Sequence, residues 1–169
     1  ELCDGDLSDR RFTESEVSFW LRQLISALLF LHTNNIVHRD IKGANLFYKG
    51  DILKLGDFGL ACDLLFKDEL LKQKYGTPHY IAPEILSGEG YSFPCDVWSF
   101  GVTMYTMLTK KEPFRQNHSF LSTEFEEVVA NITNGTYKIE DLESMSDDAK
   151  DLISKILVVD PNKRATLND

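Results

Sequence analysis

The sequence is short of basic residues, of cysteine and of long apolar runs, and each shortage removes a class of protein. Lys and Arg number 18 against 27 Asp and Glu, a net charge of −9. Such a surface repels phosphate backbones and anionic headgroups, so neither nucleic acid nor membrane is an expected partner. No apolar stretch approaches the roughly 18 residues of a spanning helix, and the acidic start lacks the pattern of a secretory leader. Cys3, Cys62 and Cys95 are odd in number and contain no CxxC pair, which argues against a disulfide framework or a zinc site. A reducing, intracellular and cytoplasmic setting is expected, with the sequons at Asn117, Asn131 and Asn134 as chance matches. What remains is ordinary: 43% hydrophobic and 27% charged over 169 residues, enough for one core and too little for two domains.

Periodicity places the elements. Thr13 and Glu16 form a capping box, and Val17, Trp20, Leu21, Leu24, Leu28 and Leu31 recur at helical spacing, predicting a helix over 13–32 that stops at Asn34-Asn35. Short strands are expected at 36–37, 46–48 and 52–55, with a turn at 49–51, and a long loop over 63–78. A helix over 96–108 is apolar nearly all round and therefore buried. Weaker patterns predict helices over 123–133 and 147–158, the latter capped by Ser146. The expected class is mainly α with small β-hairpin elements.

Chemistry concentrates in two short stretches: His38-Arg39-Asp40-Ile41-Lys42-Gly43-Ala44-Asn45, then Asp57-Phe58-Gly59. Phosphoryl transfer to an alcohol needs a carboxylate to accept the hydroxyl proton, hard oxygen ligands for Mg²⁺, and a cation against the γ-phosphate. Asp40 fits the base, Asn45 and Asp57 the metal ligands, and Lys42 the cation. Either stretch alone is a common loop sequence; their order and spacing carry the signal.

These stretches, with Gly76-Thr77-Pro78, Ala82-Pro83-Glu84 and the run from Asp96 to Gly101, resemble the C-terminal lobe of a eukaryotic protein kinase along essentially the whole chain. The resemblance implies ATP and Mg²⁺ as cofactors and protein Ser/Thr hydroxyls as substrates. It places Thr77 against Asp40 and Lys42, makes Asp96 the holder of the catalytic-loop backbone, and pairs Arg164 with Glu84. Lys42 and Thr77 favour serine/threonine over tyrosine kinases. Gly43 to Phe47, Leu55 to Ala61 and Gly76 to Glu84 are most similar to polo-like kinases, with NIMA-related and Aurora-type kinases next. In that likeness Phe47 is the adenine floor, and the Glu1 carbonyl and Cys3 amide bond the adenine edge. Phe47 also reads as a core aromatic, and Cys3 as an ordinary cysteine.

The remaining absences are departures from that family. There is no GxGxxG loop, no VAIK-type lysine and no partner glutamate, so the N-terminal lobe is missing. The chain opens without Met and closes in mid-pattern. The expectation is a partial kinase domain over 1–169, cut at both ends, inactive alone and poorly soluble, with any docking domain outside it. Between Asp57 and Thr77 no Ser or Thr occurs, and Tyr75 carries the only hydroxyl. Arg39 would receive an activating phosphate in that family; here Asp68 and Glu69 are read as solvated, since exposed pairs contribute only about 0–1 kcal/mol, with a contact from one of them to Arg39 as the alternative. Ala44 and Thr106 stand where arginine-directed kinases often carry glutamates, so an acidic-directed preference read by Lys72 and Lys74 is expected, if those lysines are not merely solvated. The competing functions are a non-catalytic pseudokinase or scaffold lobe and a small-molecule phosphotransferase. Intact Asp40, Asn45 and Asp57 oppose the first, and Ala82-Pro83-Glu84 opposes the second.

Overall fold

The computed structural model describes residues 3–8, 10–66, 68–115 and 124–169. Helix α1 (Glu14–Thr33) starts at Thr13, whose hydroxyl accepts from the Glu16 amide while the Glu16 carboxylate accepts from the Thr13 amide. Two orphan donors are thus satisfied at the helix start. Its six periodic apolar residues are all buried. Asn35, in left-handed geometry at φ 59°, turns the chain out of the helix.

Strands β1 (Gly5–Asp6), β3 (Leu46–Lys49) and β4 (Ile52–Leu55) form one antiparallel sheet in the order β1-β3-β4. Gly50 provides the positive φ of the β3–β4 turn. The Gln23 side chain on α1 pins that hairpin, donating to the Asp51 carbonyl and accepting from the Leu53 amide. A second antiparallel pair joins β2 (Ile36–Val37) to β5 (Cys62–Asp63), which sets the catalytic-loop stretch beside the segment following Asp57.

Strands β1 and β5 were not expected, and two further features depart from the expectation. A five-residue helix α2 (Pro83–Ser87) follows Ala82, and the long loop is interrupted by a bridge between Leu71 and Tyr91. The central helix α3 spans Pro94–Thr109, two residues earlier than expected, because Pro94 fits the first helical turn, where its missing N–H is no loss. Helices α4 (Glu124–Asn134) and α5 (Asp147–Ile156) follow; α4 stops at Gly135 with φ 66°, and α5 starts on the expected Ser146 cap. The expected start of α4 at Thr123 lies outside the described residues.

Helix α3 is the spine of the core, buried over nearly its full circumference. Gly101 lets α5 approach it: a Cβ there would lie 2.4 Å from Ile156 Cγ2 and 3.0 Å from Leu157 Cδ2. Trp98 stacks on Phe114 at 5.2 Å and receives the Arg164 guanidinium over its ring at 5.0 Å. No helix among the described residues is long and apolar enough to cross a membrane.

Candidate active site

The loop from His38 to Asn45 is built on Asp96 at the buried start of α3. Asp96 accepts from the backbone amides of His38 (2.9 Å, Oδ2) and Arg39 (2.8 Å, Oδ1), while His32 Nε2 lies 2.9 Å from Oδ2. One fully buried carboxylate thereby holds two loop amides, and Arg39 sits at φ 70°, where a non-glycine residue needs such support. The fully buried His38 ring accepts from the Asp40 amide at Nδ1, which leaves Nε2–H to donate to the Gly56 carbonyl at 3.1 Å. Its edge meets Phe58 at 5.0 Å. The two chemistry-bearing stretches are thus fastened together through a histidine.

Above this frame four side chains converge. Lys42 Nζ donates to Asp40 Oδ2 at 2.8 Å and to Thr77 Oγ1 at 2.7 Å. Thr77 Oγ1 donates to Asp40 Oδ1 at 2.6 Å. The Asn45 amide nitrogen donates to the Asp40 carbonyl and to its Oδ2 at 2.8 and 2.9 Å. Burial pushes the Asp40 pKa up, but the bonds from Lys42 and Thr77, the Lys42 charge and the Asn45 amide outweigh it. Asp40 is therefore held below the ordinary aspartate value and ionised at neutral pH.

Asp57 differs. It is exposed, in left-handed geometry (φ 56°, ψ 74°), and makes a 3.3 Å bond from the Gly59 amide that caps the short 3₁₀ turn Phe58–Leu60. Its carboxylate and the Asn45 carbonyl oxygen, left over once the amide nitrogen is engaged, are hard oxygen donors suited to Mg²⁺. Among the described residues no group of three His, Cys, Asp or Glu could hold a metal by itself.

Phe47 on β3 packs over Gly56, where a Cβ would meet its ring at 2.7 Å. Cys3 is a partly exposed free thiol preceding β1, and Glu1 lies outside the described residues. Outside this cluster, Arg164 forms a two-pronged bond to Glu84 at 2.7 and 2.9 Å and donates to the carbonyls of Pro94, Val158 and Val159.

The alternative contact between Arg39 and Asp68 or Glu69 is not formed in the structure. Arg39 donates from Nε to the Leu60 carbonyl and from Nη1 to the Tyr91 hydroxyl, and lies over the Tyr75 ring at 5.0 Å. The Glu69 carboxylate accepts from the Leu65 amide instead, a local turn bond that costs less ordering than reaching a buried guanidinium. Tyr91 and His32 were not expected at the site. Nothing in the sequence flags them, since their partners are 52 and 64 residues away.

A loop carboxylate bonded to a lysine, a threonine and an asparagine amide is the kind of arrangement that phosphoryl transfer to an alcohol calls for. Residues 1–169 match the protein kinase domain family throughout, and the chain belongs to it. It is similar to the probable serine/threonine-protein kinase CCRP1 of Zea mays, at 40% identity over all of this chain and 27% of that protein. It is equally similar to the serine/threonine-protein kinase PLK1 of Xenopus laevis, at 40% identity over all of this chain and 28% of that protein. The ribosomal protein S6 kinase alpha-1 of Rattus norvegicus is 37% identical over 98% of this chain and 23% of its own length. The chain therefore spans about a quarter of the length of these relatives. The family is one of serine/threonine kinases that act on proteins with ATP and Mg²⁺.

Proposed function

We propose that this chain is the larger, C-terminal lobe of a serine/threonine protein kinase and carries its substrate side and its metal side. The observation behind this reading is the closed triangle Asp40–Lys42–Thr77, with Asn45 donating to the same carboxylate. In this reading Asp40 takes the proton of a substrate Ser or Thr hydroxyl and aims its oxygen. Lys42 balances charge at the transferred group, and Thr77 fixes both side chains relative to the incoming peptide. Asn45 and Asp57 would hold Mg²⁺, and the bound metal and ATP would supply charge neutralisation and the γ-phosphoryl group. Phe47 would floor the adenine, with the backbone at Glu1 and Cys3 along its edge. A glycine-rich loop and a lysine from outside these residues would complete the site, so residues 1–169 alone would not transfer phosphate.

The finer assignment is a polo-like, non-basophilic enzyme working in the cytoplasm. Among the described residues, those lining a cavity of about 100 Å³ at Lys42, Ala44, Tyr80 and Thr106 include no carboxylate that would select an arginine on the substrate. Lys72 is exposed on the loop before Thr77 and would favour acidic residues, whereas Lys74 donates to the Leu86 carbonyl. The test is transfer from ATP to casein and to paired acidic and arginine-rich peptides by the full-length protein. Asp40→Asn is expected to lower kcat roughly 10²–10⁴-fold. Transfer that survives that change, or a preference for arginine-rich peptides, would overturn the corresponding part.

A further inference from the structure

Arg39 is a cation 8% exposed, and among the described residues no carboxylate bonds its guanidinium. Asp96, which accepts from the Arg39 backbone amide, is committed to the amides of the loop and to His32. A buried guanidinium without an anion is costly unless its donors and its flat faces are otherwise occupied. Here the Leu60 carbonyl and the Tyr91 hydroxyl take two of those donors, and the Tyr75 ring covers a face.

Tyr91 is 3% exposed and faces both ways. Its hydroxyl accepts from Arg39 Nη1 at 3.2 Å and donates to the Gln73 carbonyl at 2.6 Å, which uses its proton and one lone pair. Its backbone exchanges two hydrogen bonds with Leu71, at 2.8 and 3.0 Å. Alternate residues 71, 73 and 75 of the activation segment are therefore engaged by Tyr91 or Arg39 through backbone, carbonyl and ring in turn. Gly76 follows at φ 131°, so close that a Cβ would lie 3.1 Å from the Arg39 carbonyl, and Thr77 then reaches Asp40. The sequence meanwhile has no Ser or Thr between Asp57 and Thr77 to carry a phosphate.

We propose that Tyr91 is a positioning residue: its hydroxyl ties Arg39 to the Gln73 carbonyl and so holds the activation segment, with no phosphate, in the arrangement that sets Thr77 on Asp40. This rests on the kinase reading above. Activity is then built into the fold rather than switched on at the segment, and Arg39 serves as a hub for two aromatic side chains.

The test uses the full-length protein as wild type, Tyr91→Phe, Arg39→Lys and the double variant, with amide exchange and steady-state kinetics on each. In Tyr91→Phe, exchange over residues 71–77 is expected to rise about 10-fold, the scale of one lost buried hydrogen bond, while that of α3 is unchanged. Its kcat is expected to fall roughly 3- to 10-fold with KM for ATP unchanged, and the double variant to be no worse than the poorer single. Phosphatase treatment of the wild type is expected to leave kcat unchanged. Wild-type exchange in Tyr91→Phe, an equal rise throughout α3, additive losses in the double variant, or a phosphatase-sensitive kcat would each overturn the proposal. A wild type with no transferase activity would overturn the kinase reading, and exchange over 71–77 would still decide whether the Tyr91 tie holds the segment.

Discussion

Two arginines are buried in this chain, and they are held by different means. Arg164, 4% exposed, meets Glu84 through two parallel bonds, donates to three backbone carbonyls and covers Trp98. Arg39, 8% exposed, has a carbonyl, a phenol and an aromatic face. The first set ties Glu84 on α2, the start of α3 and the segment after α5 into one unit through a paired charge whose every donor is directed at protein. The second joins the catalytic loop to a segment that must present a substrate. An ion pair in a dry setting is hard to open, whereas a phenol bond and a stacked ring cost far less to break. The difference separates a structural bolt from a functional fastening.

The largest expected effect lies at the bolt. Glu84→Ala leaves the Arg164 charge buried without its partner, which should lower unfolding free energy by about 3–5 kcal/mol. Thermal or urea denaturation measures it, and a loss no larger than that at Arg39 would break the contrast. Next comes Gly101→Ala, which touches neither arginine. Its methyl group would collide with Ile156 and Leu157 in the α3–α5 contact, at a cost of about 1–3 kcal/mol for overpacking. Arg39→Lys keeps the charge but loses the flat face and the directed donors. Its stability loss should be about 1–2 kcal/mol, with kcat falling more than stability explains.

How much of this was legible in the sequence depends on the range of the interaction. Helix α1 was readable because its cap and its apolar stripe are local, whereas α2 was not, since five residues are too few to show a period. Proline at the start of α3 shifted that boundary by two residues. The polar triangle at Asp40 could be expected only through resemblance, because spacing alone does not bring Thr77 back across 37 residues. The partner of Arg39 was out of reach for the same reason. The acids of the activation segment do not meet the guanidinium, and the tyrosine that answers it lies 52 residues on, beyond α2.

A smaller effect follows from Asp40. Its folded pKa is lowered, so the stability it contributes is present above the ordinary value of 3.8 and is lost as pH falls through the folded value below it. The acid limb of unfolding should therefore shift upward in Lys42→Met, because the strongest opposing bond and charge are removed. An unshifted acid limb would mean that Lys42 does not hold that carboxylate in solution.

The smallest expected effect is the one that most sharpens the contrast between the arginines. If Arg39 were paired like Arg164, deleting the acids of the activation segment would uncover a buried charge. Asp68 is exposed, and the Glu69 carboxylate is engaged by the Leu65 amide. Asp68→Ala with Glu69→Ala should therefore leave kcat unchanged and shift stability by only about 0.5 kcal/mol, the usual range for surface changes. Chemical denaturation and initial rates on the full-length protein check both. A loss as large as that of Arg39→Lys would mean that a carboxylate reaches the guanidinium in solution, and the phenol bond would then be secondary.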